Sequence, residues 1–218
     1  MLYEDLEGPV LRSQNDFFSF VESQVKPAEI NGLLVLGGKS SRMGQDKGEL
    51  VYGNKPQRFA VQEMLTEVCS NTTYVSVAKD QYLDMNNRIE DTFLGLGPMG
   101  GILSAFKQLP DAAFLVLPND LPNMTAGKLS ELIAQRDPSK YATAFIGETK
   151  DFPEPLVCIY EPRAYRRLLE FMALGYACPR KMLINSDVKV IRIEEEFIEN
   201  ANSPEDYKRL KHGLQQTD

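Results

Sequence analysis

Residues able to do chemistry crowd into three short stretches of this chain. The first is Leu36-Gly37-Gly38-Lys39-Ser40-Ser41-Arg42-Met43-Gly44-Gln45-Asp46-Lys47. Paired glycines let backbone N–H groups approach a ligand closely. Ser40 and Ser41 add hydroxyl donors, and Lys39, Arg42 and Lys47 outnumber the one acid, Asp46. Such a local excess of positive charge suits a polyphosphate. The loop is not a Walker A motif, because Gly44 is followed by Gln45 rather than by Lys-Ser/Thr. The second stretch is Phe114-Leu115-Val116-Leu117-Pro118-Asn119-Asp120-Leu121-Pro122, an apolar run that ends in a carboxylate. A triphosphate is handled as its Mg²⁺ complex, and Mg²⁺ takes few protein carboxylates, so one well-placed Asp suffices. The other reading of Asp120 is a residue that starts the turn before Pro122.

The third stretch, Gly95-Leu96-Gly97-Pro98-Met99-Gly100-Gly101, contains G-x-G-x-x-G. A dinucleotide site is rejected all the same. Asn87-Arg88-Ile89-Glu90-Asp91 is too polar for a buried first strand, and Pro98 removes an N–H that phosphates would need. A helix-entry turn with Gly100 and Gly101 easing packing is the bland alternative.

These stretches need a scaffold. Leu33-Leu34-Val35-Leu36 and Ala113-Phe114-Leu115-Val116-Leu117 are short apolar runs bounded by breakers, the pattern of strands buried on both faces of a parallel sheet. Thr72–Ala78, Tyr141–Ile146, Leu156–Tyr160 and Val188–Ile193 read as further strands. Helices are expected from Pro56, around Ile102–Leu109, after a Thr125 cap, and over Pro162–Leu174 with Gly175 as the stop. Ser203-Pro204-Glu205-Asp206 opens a last one, with Ser as N-cap and Asp at N3. Alternating strands and helices predict an α/β fold, a Rossmann-like three-layer α/β/α sandwich with a mostly parallel sheet. Ligands of such sheets sit beyond the carboxyl ends of the strands, where the loops after Leu36, around Asp91–Gly101 and after Pro118 belong. The expected division is an N-terminal helical extension over residues 1–29 and a catalytic domain over 30–218. In the extension, Phe17, Phe18, Phe20, Val21 and Val25 suggest one amphipathic helix capped by Asn15, packed on the main domain.

Composition excludes several classes. The chain has 218 residues with 24 basic and 31 acidic side chains, a net charge of −7. That balance disfavours nucleic acid as a partner. No run of about 18 apolar residues is present, so no membrane span is expected. Met1-Leu2-Tyr3-Glu4-Asp5 lacks a basic, then apolar, leader, and a cytoplasmic protein is expected. Cys69, Cys158 and Cys178 are odd in number and far apart, and read as buried small hydrophobes rather than a disulfide scaffold or catalytic groups. With His212 as the one histidine, neither a Cys/His zinc cluster nor a Ser-His-Asp triad is in reach.

The first stretch resembles the Leu-Ala-Gly-Gly-x-Ser-x-Arg-Met-Gly-x-Asp-Lys signature of the MobA-like nucleotidyltransferases, and within them the molybdenum cofactor guanylyltransferases are most similar. The resemblance extends over about residues 32–210 and implies the nucleotide-diphospho-sugar transferase type of fold. It implies that Val35, Leu36, Gly37 and Gly38 line base and ribose. Ser40 joins them in nucleotide binding, Arg42 meets the phosphates, and Lys47 holds the α-phosphate region. Leu36 departs from the family's Ala, and its bulk is expected to shift base or ribose. Gly97-Pro98-Met99-Gly100-Gly101 resembles the family's Gly-Pro-Leu-x-Gly loop, which places Asp91, Gly97, Pro98 and Gly101 at the nucleotide. Asp120 matches the strand-Asp-x-Pro element and becomes the Mg²⁺ ligand, catalytic together with Arg42 and Lys47. On the acceptor side the resemblance implies Glu154, Arg180, Asn200 and Asn202, although Asn200-Ala201-Asn202-Ser203 can equally organise a turn and cap. The implied reaction moves GMP from GTP to the phosphate of molybdopterin or molybdenum cofactor, with other proteins of cofactor biosynthesis as partners and a monomer or weak oligomer as the working state. The same phosphate machinery serves a cytidylyl or sugar-1-phosphate transferase, or a nucleotide-binding protein without turnover. Tyr74-Val75-Ser76-Val77-Ala78-Lys79-Asp80 lacks the Asn that several family members carry after the second strand.

Overall fold

The structure is a computed structural model that describes residues 13–16, 26–36 and 47–214, the side chains of Lys47 and Leu214 excepted. Its centre is a seven-stranded sheet in the order β3-β2-β1-β4-β6-β5-β7. The strands are β1 Ile30–Val35, β2 Thr73–Val77, β3 Arg88–Glu90, β4 Ala113–Pro118, β5 Ala142–Gly147, β6 Cys158–Tyr160 and β7 Val188–Ile193. All neighbours pair parallel except β6, which runs antiparallel to both β4 and β5. The helices are α1 Gln57–Val68, α2 Pro98–Gln108, α3 Ala126–Ala134, α4 Pro162–Ala173, α5 Pro179–Ile184 and α6 Pro204–Leu214.

Strand periodicity makes the three layers. In β1, Leu34 faces one core with Leu65 of α1 and Leu129 and Leu132 of α3. Leu33 and Val35 face the other, with Ile102 and Phe106 of α2, Leu168 of α4 and Met182 of α5. Successive side chains of a strand point to opposite faces, so one uninterrupted apolar run supplies both cores. The expected α/β/α sandwich is the observed one.

Local signals act where the sequence placed them. Thr125 accepts a hydrogen bond from the Lys128 N–H at 3.3 Å. Gly175 takes φ +85° after α4 and closes a Schellman turn, its N–H on the Met172 carbonyl and the Tyr176 N–H on that of Phe171. Ser203 and Asp206 form a reciprocal cap: the Asp206 N–H donates to Ser203 Oγ at 3.1 Å and the Ser203 N–H to Asp206 Oδ2 at 3.0 Å.

Other expectations need correction. Arg88–Glu90 is a strand after all, an edge strand of three residues in which Ile89 alone is buried. Cys69 and Cys158 are buried as expected, but Cys178 is exposed ahead of α5. In the N-terminal extension, Ser13 rather than Asn15 accepts from the Asp16 N–H, at 3.1 Å, and Asn15 lies inside the helical turn. The aromatic cluster Phe17–Val25 lies outside the described residues.

Candidate functional site

The strand order reverses between β1 and β4: the chain winds outward through β2 and β3, then crosses back to the other side of β1. In open sheets of this kind the ligand crevice lies at that point, beyond the carboxyl ends of the two strands. Leu36 follows β1 and Asp120 follows β4, so the residues that leave these two strands both lie at the switch point. Gly37, Gly38, Ser40 and Arg42 lie outside the described residues. Lys47 opens a 3₁₀ turn, Lys47–Glu49, that leads out of that loop. Val35 and Leu36 are buried with their side chains in opposite cores. The bulk of Leu36, where the family pattern has Ala, is taken up by the core, which leaves the backbone of both residues to face the end of the strand.

Asp91 sits on the same rim, one residue beyond β3. Its N–H donates to the Val77 carbonyl at 2.9 Å, and Ser76 Oγ donates to Asp91 Oδ1 at 2.7 Å. Burial pushes the Asp91 carboxyl above the ordinary Asp range, and the Ser76 hydrogen bond pulls part of the way back. Gly97 has φ +55° and precedes Pro98, which opens α2. That backbone is closed to other residues without strain. Gly101 is explained by close approach: a Cβ there would lie 2.1 Å from Ser76 Oγ. Gly100 would meet the Phe93 carbonyl at 2.3 Å in the same way. These glycines seat α2 on β2 and so fix Ser76 and Asp91.

Asp120 is half-buried, and Asn200 holds it from a distance in sequence: Asn200 Nδ2 donates to Asp120 Oδ1 at 3.0 Å. The next residue repeats the link through the backbone, the Ala201 N–H donating to the Asp120 carbonyl at 2.8 Å. Asn200 thus serves the strand-end carboxylate. Asn202 is exposed, and its N–H joins the cap by donating to Asp206 Oδ2 at 3.2 Å.

The acceptor-side residues converge as well. A cavity of about 160 Å³ is lined by Pro118, Leu121, Glu154, Pro155, Arg180 and Asn200 among others. Arg180 Nη2 donates to Glu154 Oε2 at 3.3 Å across it, and Tyr160 Oη fixes its wall by donating to the Pro155 carbonyl at 2.8 Å. Asn202 is the one acceptor-side candidate that does not line it. A wider polar groove of about 600 Å³, with Gln62, Thr73 and Asn87 among its lining residues, lies at the amino ends of β2 and β3, on the opposite rim.

Two functional candidates escaped sequence reasoning. Arg58 in the first turn of α1 is buried, ion-paired with Glu49 of the 3₁₀ turn and, at 2.6 Å, with Asp84, and stacked 4.4 Å from the Phe59 ring. It pins the segment leaving the glycine-rich loop. Tyr52, on the same segment, is buried against Ala201. An Arg in a helical pattern and a lone Tyr carry no motif, so no signal could have singled them out.

Among the described residues, no three His, Cys, Asp or Glu side chains gather as a preformed metal cage. One carboxylate still fits a Mg²⁺ that arrives with phosphates, because the phosphates and water supply the remaining oxygens. Asp120, half-buried at the end of β4 and bonded by Asn200, is a carboxylate of that kind.

Known proteins agree with this geometry. The model of the MobA-like NTP transferase domain matches residues 32–190. A molybdenum cofactor guanylyltransferase of Xanthomonas euvesicatoria pv. vesicatoria is 32% identical over 189 residues, 83% of this chain and 94% of that protein. A molybdenum cofactor biosynthesis bifunctional protein of Synechocystis is 31% identical over 87% of this chain, which spans 56% of that relative's length. Among solved structures, molybdopterin-guanine dinucleotide biosynthesis protein A from Archaeoglobus fulgidus superposes with a TM-score of 0.69 at 20% identity, covering 85% of this chain and 99% of its own, and speaks for the fold. With the family pattern running from β1 into β7 and the crevice built from its elements, the chain belongs to the MobA-like NTP transferase family.

Proposed function

We propose that this protein transfers GMP from GTP to the phosphate of molybdopterin or molybdenum cofactor and releases pyrophosphate. The observation that carries the reading is the bond from Asn200, which lines the cavity with Glu154 and Arg180, to Asp120, which follows β4 at the switch point of the sheet. A transferase needs two substrates with one charge-stabilising group between them. An acceptor phosphate oxygen forms the new bond to the α-phosphorus. The bond from the α-phosphorus to the bridging oxygen breaks, and pyrophosphate leaves with its electron pair. The acceptor is already an anion, so no general base is required. Catalysis of this type rests on positioning and electrostatics. Bound Mg²⁺ supplies Lewis-acid stabilisation of the phosphate charge. Asp120 holds it, Asn200 orients Asp120, and Arg42 and Lys47 add fixed positive charge from the glycine-rich loop. Val35, Leu36, Gly37 and Gly38 line base and ribose, and Ser40 joins them in binding the nucleotide. Asp91, held by Ser76, and the turn of Gly97, Pro98 and Gly101 form the nucleotide side. Glu154 and Arg180 present a carboxylate and a guanidinium to the acceptor.

The test is pyrophosphate release with GTP, CTP, ATP or UTP and the molybdopterin acceptor, with and without Mg²⁺. GTP-selective, Mg²⁺-dependent release is expected, and Asp120→Ala should lower it by about a hundredfold or more with the circular dichroism unchanged. Turnover with CTP in place of GTP would move the protein to a cytidylyl activity on the same machinery. An Asp120→Ala enzyme of full activity would overturn the metal assignment.

A further inference from the structure

A buried hydroxyl near Asp120 has no partner among the described residues. Tyr52 is 4% exposed, and its Oη makes no hydrogen bond among them. The ring is held by its neighbours. It packs with Leu50, Ala201 and Leu210, and the Tyr207 ring meets it edge-on at 5.0 Å between centroids. Tyr207 is itself tied down, its Oη donating to the Val51 carbonyl at 2.9 Å and accepting from Lys211 Nζ at 3.1 Å. The contacts that fix Tyr52 also fix it against the site: Ala201 is the residue bonded to the Asp120 backbone, and its neighbour Asn200 holds the Asp120 carboxylate. A phenol is protonated at neutral pH and can donate, and the Asp120 and Asp206 carboxylates lie near enough to act on it electrostatically.

A buried donor without an acceptor is a net cost to folding, and a phenylalanine would fill the same space without it. A hydroxyl kept in such a place is explained when its acceptor arrives with a ligand. We infer that the Tyr52 hydroxyl is a substrate-binding donor, completed by a phosphate oxygen of the Mg²⁺–nucleoside triphosphate complex held at Asp120. The inference rests on the guanylyl-transfer reading. It makes the segment that leaves the glycine-rich loop a direct contributor to the crevice.

The test is Tyr52→Phe in the full chain, which removes one oxygen and keeps the ring. Calorimetric titration with Mg²⁺–GTP should show affinity weaker by about fivefold to tenfold. The urea midpoint should stay unchanged or rise, because no protein hydrogen bond is lost. Equal affinity in wild type and variant overturns the inference, and a lowered midpoint at equal affinity does so by assigning the hydroxyl to the fold. Wild-type protein that binds no Mg²⁺–GTP overturns the functional reading and this inference with it. That outcome is told apart from the first two, since both leave wild-type binding intact.

Discussion

Gly101 offers the sharpest test of how α2 is seated on the sheet. In Gly101→Ala the added Cβ would lie 2.1 Å from Ser76 Oγ, 3.1 Å from Ser76 Cβ and 3.5 Å from Asp91 Oδ1. The first contact is impossible, so either α2 shifts or Ser76 rotates its hydroxyl away. Rotation breaks the 2.7 Å hydrogen bond to Asp91, a carboxylate whose charged form burial already disfavours. Overpacking costs about 1–3 kcal/mol, a hydrogen bond to a charged group contributes about 1.5–3 kcal/mol, and alanine in a helix returns about 0.5–1 kcal/mol. A net loss of roughly 3 kcal/mol is expected. Ser76→Ala removes the clashing oxygen and costs about 2 kcal/mol for the lost bond. With that oxygen gone, adding Gly101→Ala meets only the tight Cβ contact and costs about 1 kcal/mol more. The double-mutant cycle should thus show a coupling of about 2 kcal/mol, read from urea unfolding. The cost of Ser76→Ala also carries a pH signature. A carboxyl raised in the folded state favours folding below its unfolded value and loses that contribution as pH rises through the folded value. Without Ser76 the folded value rises further, so the variant should lose more stability at neutral pH than at about pH 4. Single substitutions that add to within about 0.5 kcal/mol would refute the packing argument.

The remaining predictions concern the segments that flank the site. Arg58→Lys should be no conservative change, because the guanidinium spans Glu49 and Asp84 while stacking on Phe59, which a point-charge ammonium does not do. Both carboxylates are half-exposed, so a stability loss of about 1–2 kcal/mol is expected by urea unfolding, with weaker Mg²⁺–GTP binding by calorimetry. Asp206→Asn should weaken the cap of α6 by about 1 kcal/mol at neutral pH. The Asp206 carboxyl is held below its usual range, chiefly by Ser203, so its contribution is present above the unfolded value of about 3.9 and is lost as pH falls through the lower folded value. The difference between wild type and variant should close over that acid window, and a difference constant with pH would contradict the cap.

How much of this was legible depends on range. The strands β1, β2, β4 and β7 could be read because each is an apolar or β-branched run bounded by breakers, and the caps at Thr125, Gly175 and Ser203 because their partners lie within a few residues. Edge strand β3 was missed because it buries only Ile89, too little for a periodicity. The reversed direction of β6 was invisible, since a buried run reads the same either way. The burial of Val35 and Leu36 in opposite cores follows from strand alternation carried to the end of the run. The tie between Asp120 and Asn200 joins residues far apart in sequence. Nothing local announces it, though both residues were singled out separately. Arg58 and Tyr52 are the extreme case, because their importance lies wholly in what the fold sets beside them.

The reversed strand also explains how the cavity of Glu154, Arg180 and Asn200 comes to lie beside Asp120. A parallel strand presents its exit at the carboxyl rim, where Leu36 follows β1, Asp91 follows β3 and Asp120 follows β4. Strand β6 runs antiparallel to β4 and β5, so it enters the sheet at that rim. The residues before it, Glu154 and Pro155, are thereby delivered beside the end of β4, anchored where the Glu154 N–H donates to the Phe145 carbonyl at 2.8 Å. Arg180 meets Glu154 at the same rim, and the chain leaving β7 runs on to Asn200 and Asp120. An all-parallel order would turn the entry of this strand to the opposite rim and take Glu154 and Pro155 away from Asp120. The cavity of Glu154, Arg180 and Asn200 is thus a product of topology, and its residues line up only because one strand of seven is reversed.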